Sequence, residues 1–222
     1  MGIISIEQTE RLYWLGRYSE RTYTILRLYA KSYDMLLESL SGGYKEFCTR
    51  LDIPDIYENK EDFLRRYAFD KEDSDSIISN LSRAYDNAIV LREEIGSEAL
   101  SYIQLAIYEI SRAETSDAPL IEIQTILDDL LAFWGIVDDS IDSENVRNII
   151  KTGKRVERLD LYARLKFDRE HLLRECRRLS GRITRTGMKY NQLALEKLEA
   201  LITAPNLDYF QIVSEAEKIL EV

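Results

Sequence analysis

The sequence predicts an all-α fold on three observations. Only 9 Gly and 3 Pro interrupt 222 residues, too few for the turns of an all-β domain. Apolar residues recur at spacings of three and four along long stretches, and no window shows the strict alternation of a half-buried strand. We expect a multi-helix bundle of about seven to nine helices, one domain over residues 1–222, with repeat halves around 5–40 and 142–168.

The elements follow in order. Ile6 to about Leu40 reads as one long helix closed by Ser41-Gly42-Gly43. A short helical stretch comes next, then a loop from Leu51 to Lys60 around Pro54. The cap-rich Asp70-Lys71-Glu72-Asp73-Ser74 precedes a helix from about Asp75 to Ile95, ended by Gly96, and Ser97 caps another to about Ala113. Thr115-Ser116-Asp117-Ala118-Pro119 breaks the chain before Leu120 to Ser140. Asp142 or Ser143 opens a helix to about Leu165, followed by Arg169–Thr184, Asn191–Ile202 and an amphipathic Leu207–Leu220.

Composition narrows function by exclusion. Two cysteines, Cys48 and Cys176, and one histidine, His171, cannot build a disulfide framework, a thiolate zinc site or a His-rich metal centre. No apolar run approaches the ~18 residues of a membrane span, and an acid stands where a signal peptide carries its basic region, so a cytoplasmic protein is expected. Glycine-rich phosphate loops are absent and no cofactor is expected. The net charge of -10 is uneven: between Lys151 and Lys189 thirteen basic residues face five acidic ones. Such a segment either matches the acidic remainder internally or forms an anion-binding surface, for which Arg174, Arg177, Arg178 and Arg182 are the candidates. Overall acidity and little aromatic interleaving argue against a nucleic-acid partner.

A repeat stands out. Gly16-Arg17-Tyr18-Ser19-Glu20-Arg21 recurs 137 residues later as Gly153-Lys154-Arg155-Val156-Glu157-Arg158, and Arg27-Leu28 recurs as Arg164-Leu165. Helical spacing puts Gly16, Glu20, Tyr23 and Arg27 on one face and Gly153, Glu157, Asp160 and Arg164 on another, with apolar neighbours. An ionised Glu there needs a cation nearby. The motif residues Arg17, Glu20, Arg21, Arg27, Lys154, Glu157, Arg158 and Arg164 therefore form either an ion-pair network joining two helices or the lining of a polar pocket. An antiparallel crossing near Tyr23 and Asp160 would set Glu20 against Arg164 and Glu157 against Arg27. A parallel one would bring the glutamates together, so the antiparallel crossing is expected.

Tyr13-Trp14-Leu15-Gly16-Arg17-Tyr18-Ser19-Glu20-Arg21 resembles the opening signature of the bacterial alpha-E domain family, an all-helical group named for its Glu-Arg motif. The likeness continues through Ser76-Ile77, Ser82 to Ala88, Arg92-Glu93, Ser97-Glu98, Phe133-Trp134-Gly135, Asp139-Ser140-Ile141 and the second motif. Members are often encoded beside, or fused to, circularly permuted ATP-grasp proteins and transglutaminase-like peptidases. The resemblance thus implies an accessory or substrate-presenting part of a peptide-ligating or peptide-modifying system, with those two proteins as partners and no catalytic residues supplied. The alternative is an enzyme that uses the polar interior around the Glu-Arg motifs for peptide or amide chemistry.

Three further constellations are weighed. Asp138-Asp139-Ser140-Ile141-Asp142 has a magnesium-holding spacing but reads more simply as a helix end running into the next cap. Asp168 and His171 lie one turn apart without the second histidine of a di-iron site. Cys48 and Cys176 read as packing residues rather than nucleophiles, with a lowered thiol pKa for Cys176 among Arg174, Arg177 and Arg178 as the alternative.

Overall fold

A computed structural model describes residues 4–32, 43–116 and 119–220. The described residues form ten helices and no strand: α1 (Ile6–Ser32), α2 (Gly43–Leu51), α3 (Lys60–Phe69), α4 (Ile77–Val90), α5 (Arg92–Ala113), α6 (Pro119–Asp139), α7 (Glu144–Arg164), α8 (Arg169–Ile183), α9 (Gln192–Thr203) and α10 (Tyr209–Glu217). The all-α expectation holds, and there are two local differences, of which one takes the count above nine. Residues 61–69, left without an element in the sequence, form α3 because the Asn59 side chain accepts the Asp62 N–H and caps it. The helix expected up to Ile95 distorts at Leu91, which is fully buried and whose N–H still bonds the Asn87 carbonyl. The expected break at Gly96 is present as a kink inside α5, where φ is +81°, a backbone state costly for other residues. The expected end of the first helix at Leu40 and its Ser41-Gly42 closure lie outside the described residues, as do Asp117 and Ala118 of the break before α6.

The chain divides into two compact units, one of residues 1–20 and 143–222 and the other of residues 21–142. In the first, α7 packs on α8 and α10, and α9 packs on both of these. Side-chain caps start each helix: Ser143 accepts from Val146, Asp168 from His171, Asn191 from Ala194 and Asp208 from Gln211. Leu12, Leu15, Ile149, Leu159, Leu172, Leu179, Leu198 and Ile212 fill its core. In the second unit α5 and α6 pack along one another, α4 lies on α5, and α3 on α4. Tyr44, Phe47, Tyr57, Phe63 and Tyr67 form an aromatic cluster at 5.0–6.4 Å ring separations, and the Tyr29 hydroxyl donates to the Leu64 carbonyl. No described helix is long and apolar enough to cross a membrane.

Candidate functional site

The duplicated motifs meet at their glycines. A Cβ on Gly16 would stand 2.0 Å from the Ile150 carbonyl oxygen, and one on Gly153 would stand 2.1 Å from that of Tyr13. Each glycine thus receives the carbonyl three residues before the other, a two-fold-like contact in which backbone lies on backbone. Only residues without a Cβ allow that approach.

One turn further along both helices the charges pair across the crossing. Arg158 Nε donates to Glu20 Oε1 at 2.6 Å, and Lys154 Nζ lies 4.0 Å from Glu20 Oε2. Arg17 Nε donates to Glu157 Oε2 at 2.6 Å while its guanidinium stacks over the Trp14 ring at 5.2 Å. Both glutamates are buried, Glu20 entirely. Burial opposes the Arg17 and Arg158 charges, yet Glu157 beside the one and Glu20 beside the other more than offset it and hold both guanidiniums charged.

These contacts correct the expected antiparallel crossing. Tyr13 meets Gly153, Arg17 meets Glu157 and Glu20 meets Arg158, so the helices advance in the same direction. The like-charge objection fails because each motif carries a cation three residues before its Glu, and that cation reaches the other motif's carboxylate. Arg164 turns to its own helix and to α10, bonding Asp160 at 3.0 Å and Glu217 at 2.9 Å. Arg27 is exposed, and Arg21 lies where its charge acts on the Tyr67 phenol.

A family model described as a predicted alpha-helical domain with a conserved ER motif matches residues 8–203, a span that holds both Glu-Arg pairs. The chain belongs to the Alpha-E family. No curated protein and no solved structure matches it.

In this Alpha-E chain the motif residues come together in part: Arg17, Glu20, Lys154, Glu157 and Arg158 do, and Arg21, Arg27 and Arg164 go elsewhere. The four arginines of α8 also separate. Arg174 and Arg178 stand 3.5 and 3.0 Å from the buried Glu175, Arg177 is exposed, and Arg182 Nη1 donates to Asn148 Oδ1 at 2.9 Å. Glu175 also accepts from Arg155 of α7 at 2.6 Å. Asn148, Lys151 and Arg155 were missed by sequence reasoning, although Lys151, Lys154, Arg155 and Arg158 stand at i, i+3, i+4 and i+7.

Cys176 is a packing residue, as expected, and the alternative of a low thiol pKa fails because burial pushes the thiol up to about 11. The His171 ring bonds the capping Asp168 at 2.8 Å and contacts Tyr162 and Phe167 edge-on. Asp138, Asp139 and Asp142 are exposed, and among the described residues no group of three metal-ligating side chains could hold an ion.

Lys154 makes stability depend on pH. Burial, with Arg158, Arg155 and Lys151 adding to it and Glu20 opposing, pushes its amine down to about 7 from an ordinary value of 10.5. Between those values the unfolded chain holds a proton that folded Lys154 has released, so stability rises with pH through this window. Lys154→Met removes that component: in urea unfolding at pH 7.0 and 8.5, the wild type gains more stability on the step than the variant. Equal gains would mean that Lys154 stays protonated in the fold. The comparison stops short of pH 9, because burial also raises the thiols, Cys48 to about 12, and stability falls where the unfolded thiols ionise.

Proposed function

We propose that the chain is an accessory or substrate-presenting protein of a peptide-ligating or peptide-modifying system, not itself catalytic. It works in the bacterial cytoplasm with a circularly permuted ATP-grasp protein and a transglutaminase-like peptidase. One observation carries this reading: the glutamates of both signature motifs are engaged by cations of the opposite motif, so the signature serves to hold α1 on α7. Function then falls to the surfaces this crossing supports. The raised Cys48 and Cys176 thiols, which are poor nucleophiles in that state, add support. The test is co-purification with the ATP-grasp protein and an ATP-turnover assay. Turnover that needs both proteins supports the accessory role, and turnover by this chain alone overturns it.

A second reading, peptide or amide chemistry in the polar interior, is favoured by Lys154, whose amine beside Glu20 is lowered to about 7 and so is about half unprotonated at neutral pH. Product formed by the chain alone and abolished by Lys154→Met, with the fold retained, would decide for it.

A further inference from the structure

The α7 helix carries a second polar locus, turned toward α8 rather than α1. At ~100° per residue, Asn148, Lys151, Thr152 and Arg155 share an arc of about 100°, and α8 brings Arg182 and Glu175 against it through the Arg182–Asn148 and Arg155–Glu175 bonds. Charge there is mostly positive, with Glu144 the acid that acts on Arg182. Arg155, Arg174 and Arg178 all converge on Glu175, while the hydrogen bond from Arg182 Nη1 goes to a neutral amide. Lys151 is crowded by Arg182 and Arg155.

Donors at this locus outnumber acceptors. A guanidinium can only donate, so Asn148 must turn Oδ1 toward Arg182 and its Nδ2 elsewhere. Asn148 is 4 % exposed, and its buried Nδ2 has no hydrogen-bond acceptor among the described residues. The same holds for Nε of Arg155 and Nε of Arg182, and the fully buried Thr152 hydroxyl also finds no partner among the described residues. Buried donors left unmade disfavour the fold unless an acceptor meets them, and among clustered cations an anion meets them best.

We propose that Asn148, Lys151, Arg155 and Arg182 form a binding site for a phosphoryl group, either free phosphate or a phosphomonoester. A carboxylate's two oxygens have lone pairs for four donors but carry one negative charge against the three cationic side chains of this locus. A phosphomonoester offers three oxygens and a charge of about −1.5 to −2. Of the four arginines that the sequence nominated for anions, only Arg182 belongs to this site. Arg174 and Arg178 reach Glu175 from exposed positions, and Arg177 is exposed as well, whereas Arg155 also keeps a buried Nε that bonds nothing among the described residues.

The test is calorimetric titration of the full chain with inorganic phosphate, with a nucleoside monophosphate and with succinate, at matched ionic strength. Saturable binding of phosphate or the monophosphate, with succinate at least about tenfold weaker, is expected; tighter monophosphate binding identifies an ester as the source and equal affinity the phosphoryl group alone. Phosphate binding near pH 8 should take up protons, seen as buffer-dependent heat, because burial with Arg182 and Arg155 pushes Lys151 down to about 8 and an anion restores its charge. Asn148→Asp separates binding from folding. The new carboxylate pairs with Arg182, so the melting temperature should hold or rise while phosphate affinity falls at least about tenfold, and Arg182→Gln should lose the same binding. Absence of saturable phosphate binding, equal binding of succinate, or undiminished affinity in a folded N148D protein would each overturn the site.

Discussion

Gly16→Ala and Gly153→Ala should each destabilise the protein by about 2–4 kcal/mol in urea unfolding, against the direction of helix propensity. Both positions are helix interiors, where alanine in place of glycine is worth about 1 kcal/mol in favour of folding. The added methyl, however, would lie 2.0 Å from the Ile150 oxygen in one case and 2.1 Å from the Tyr13 oxygen in the other. These oxygens belong to helix backbone, which has no rotamer by which to step aside. The helices must part, and the 2.6 Å bonds from Arg17 to Glu157 and from Arg158 to Glu20 stretch with them. The double variant should cost less than the sum, because helices already parted accept the second methyl more readily. Gly135 and Gly181 supply the control: both are exposed helix positions with nothing within 4 Å of an added Cβ. Alanine there should stabilise by up to about 1 kcal/mol. A neutral Gly16→Ala would mean that α1 and α7 do not meet at this point.

Removal of either motif glutamate is expected to cost roughly 3–5 kcal/mol, because it strands buried cations rather than merely deleting a contact. Glu20→Ala removes the carboxylate that Arg158 and Lys154 face, and Glu157→Ala leaves Arg17 on the Trp14 ring with Asp160 as its remaining acidic neighbour. Glu157→Met combined with Arg17→Met should recover much of the loss, since a buried pair replaced by apolar groups of similar volume is often neutral. Denaturant unfolding of the singles and the double closes the cycle. Losses below about 1 kcal/mol for both single variants would overturn the architectural role and return the Glu-Arg motifs to the polar-pocket reading.

Much of the fold is legible in the sequence because its determinants are local. Period-three-and-four apolar spacing marks the long helices. Ser143, Asp168 and Asn191 announce three of the starts by the residue types that cap, and each does so through its side chain. The spaced repeat singled out Gly16, Glu20, Gly153 and Glu157 as contact residues before any helix was placed against another. Gly96 marks a break that the structure has, with φ +81°, whereas the distortion five residues earlier at the buried Leu91 carries no local signal.

Tertiary structure alone decided the direction of the crossing and the partners of each charge. Helical periodicity states which side chains share a face, but not which face of another helix arrives opposite. A pairwise comparison of Glu20 with Glu157 also omits cations that reach over from the preceding turn. Once two glycines let the backbones touch, Arg17 and Lys154 come within reach of the opposite glutamates and the parallel sense becomes electrostatically acceptable. Arg27 and Arg164 share the repeat in sequence and not in space, because their positions lie beyond the close approach, where Arg27 is exposed and Arg164 bonds Asp160 and Glu217 instead. The Asn148–Arg182 locus was hidden for the same reason: its donors sit on two helices 34 residues apart, and only packing brings them to one place.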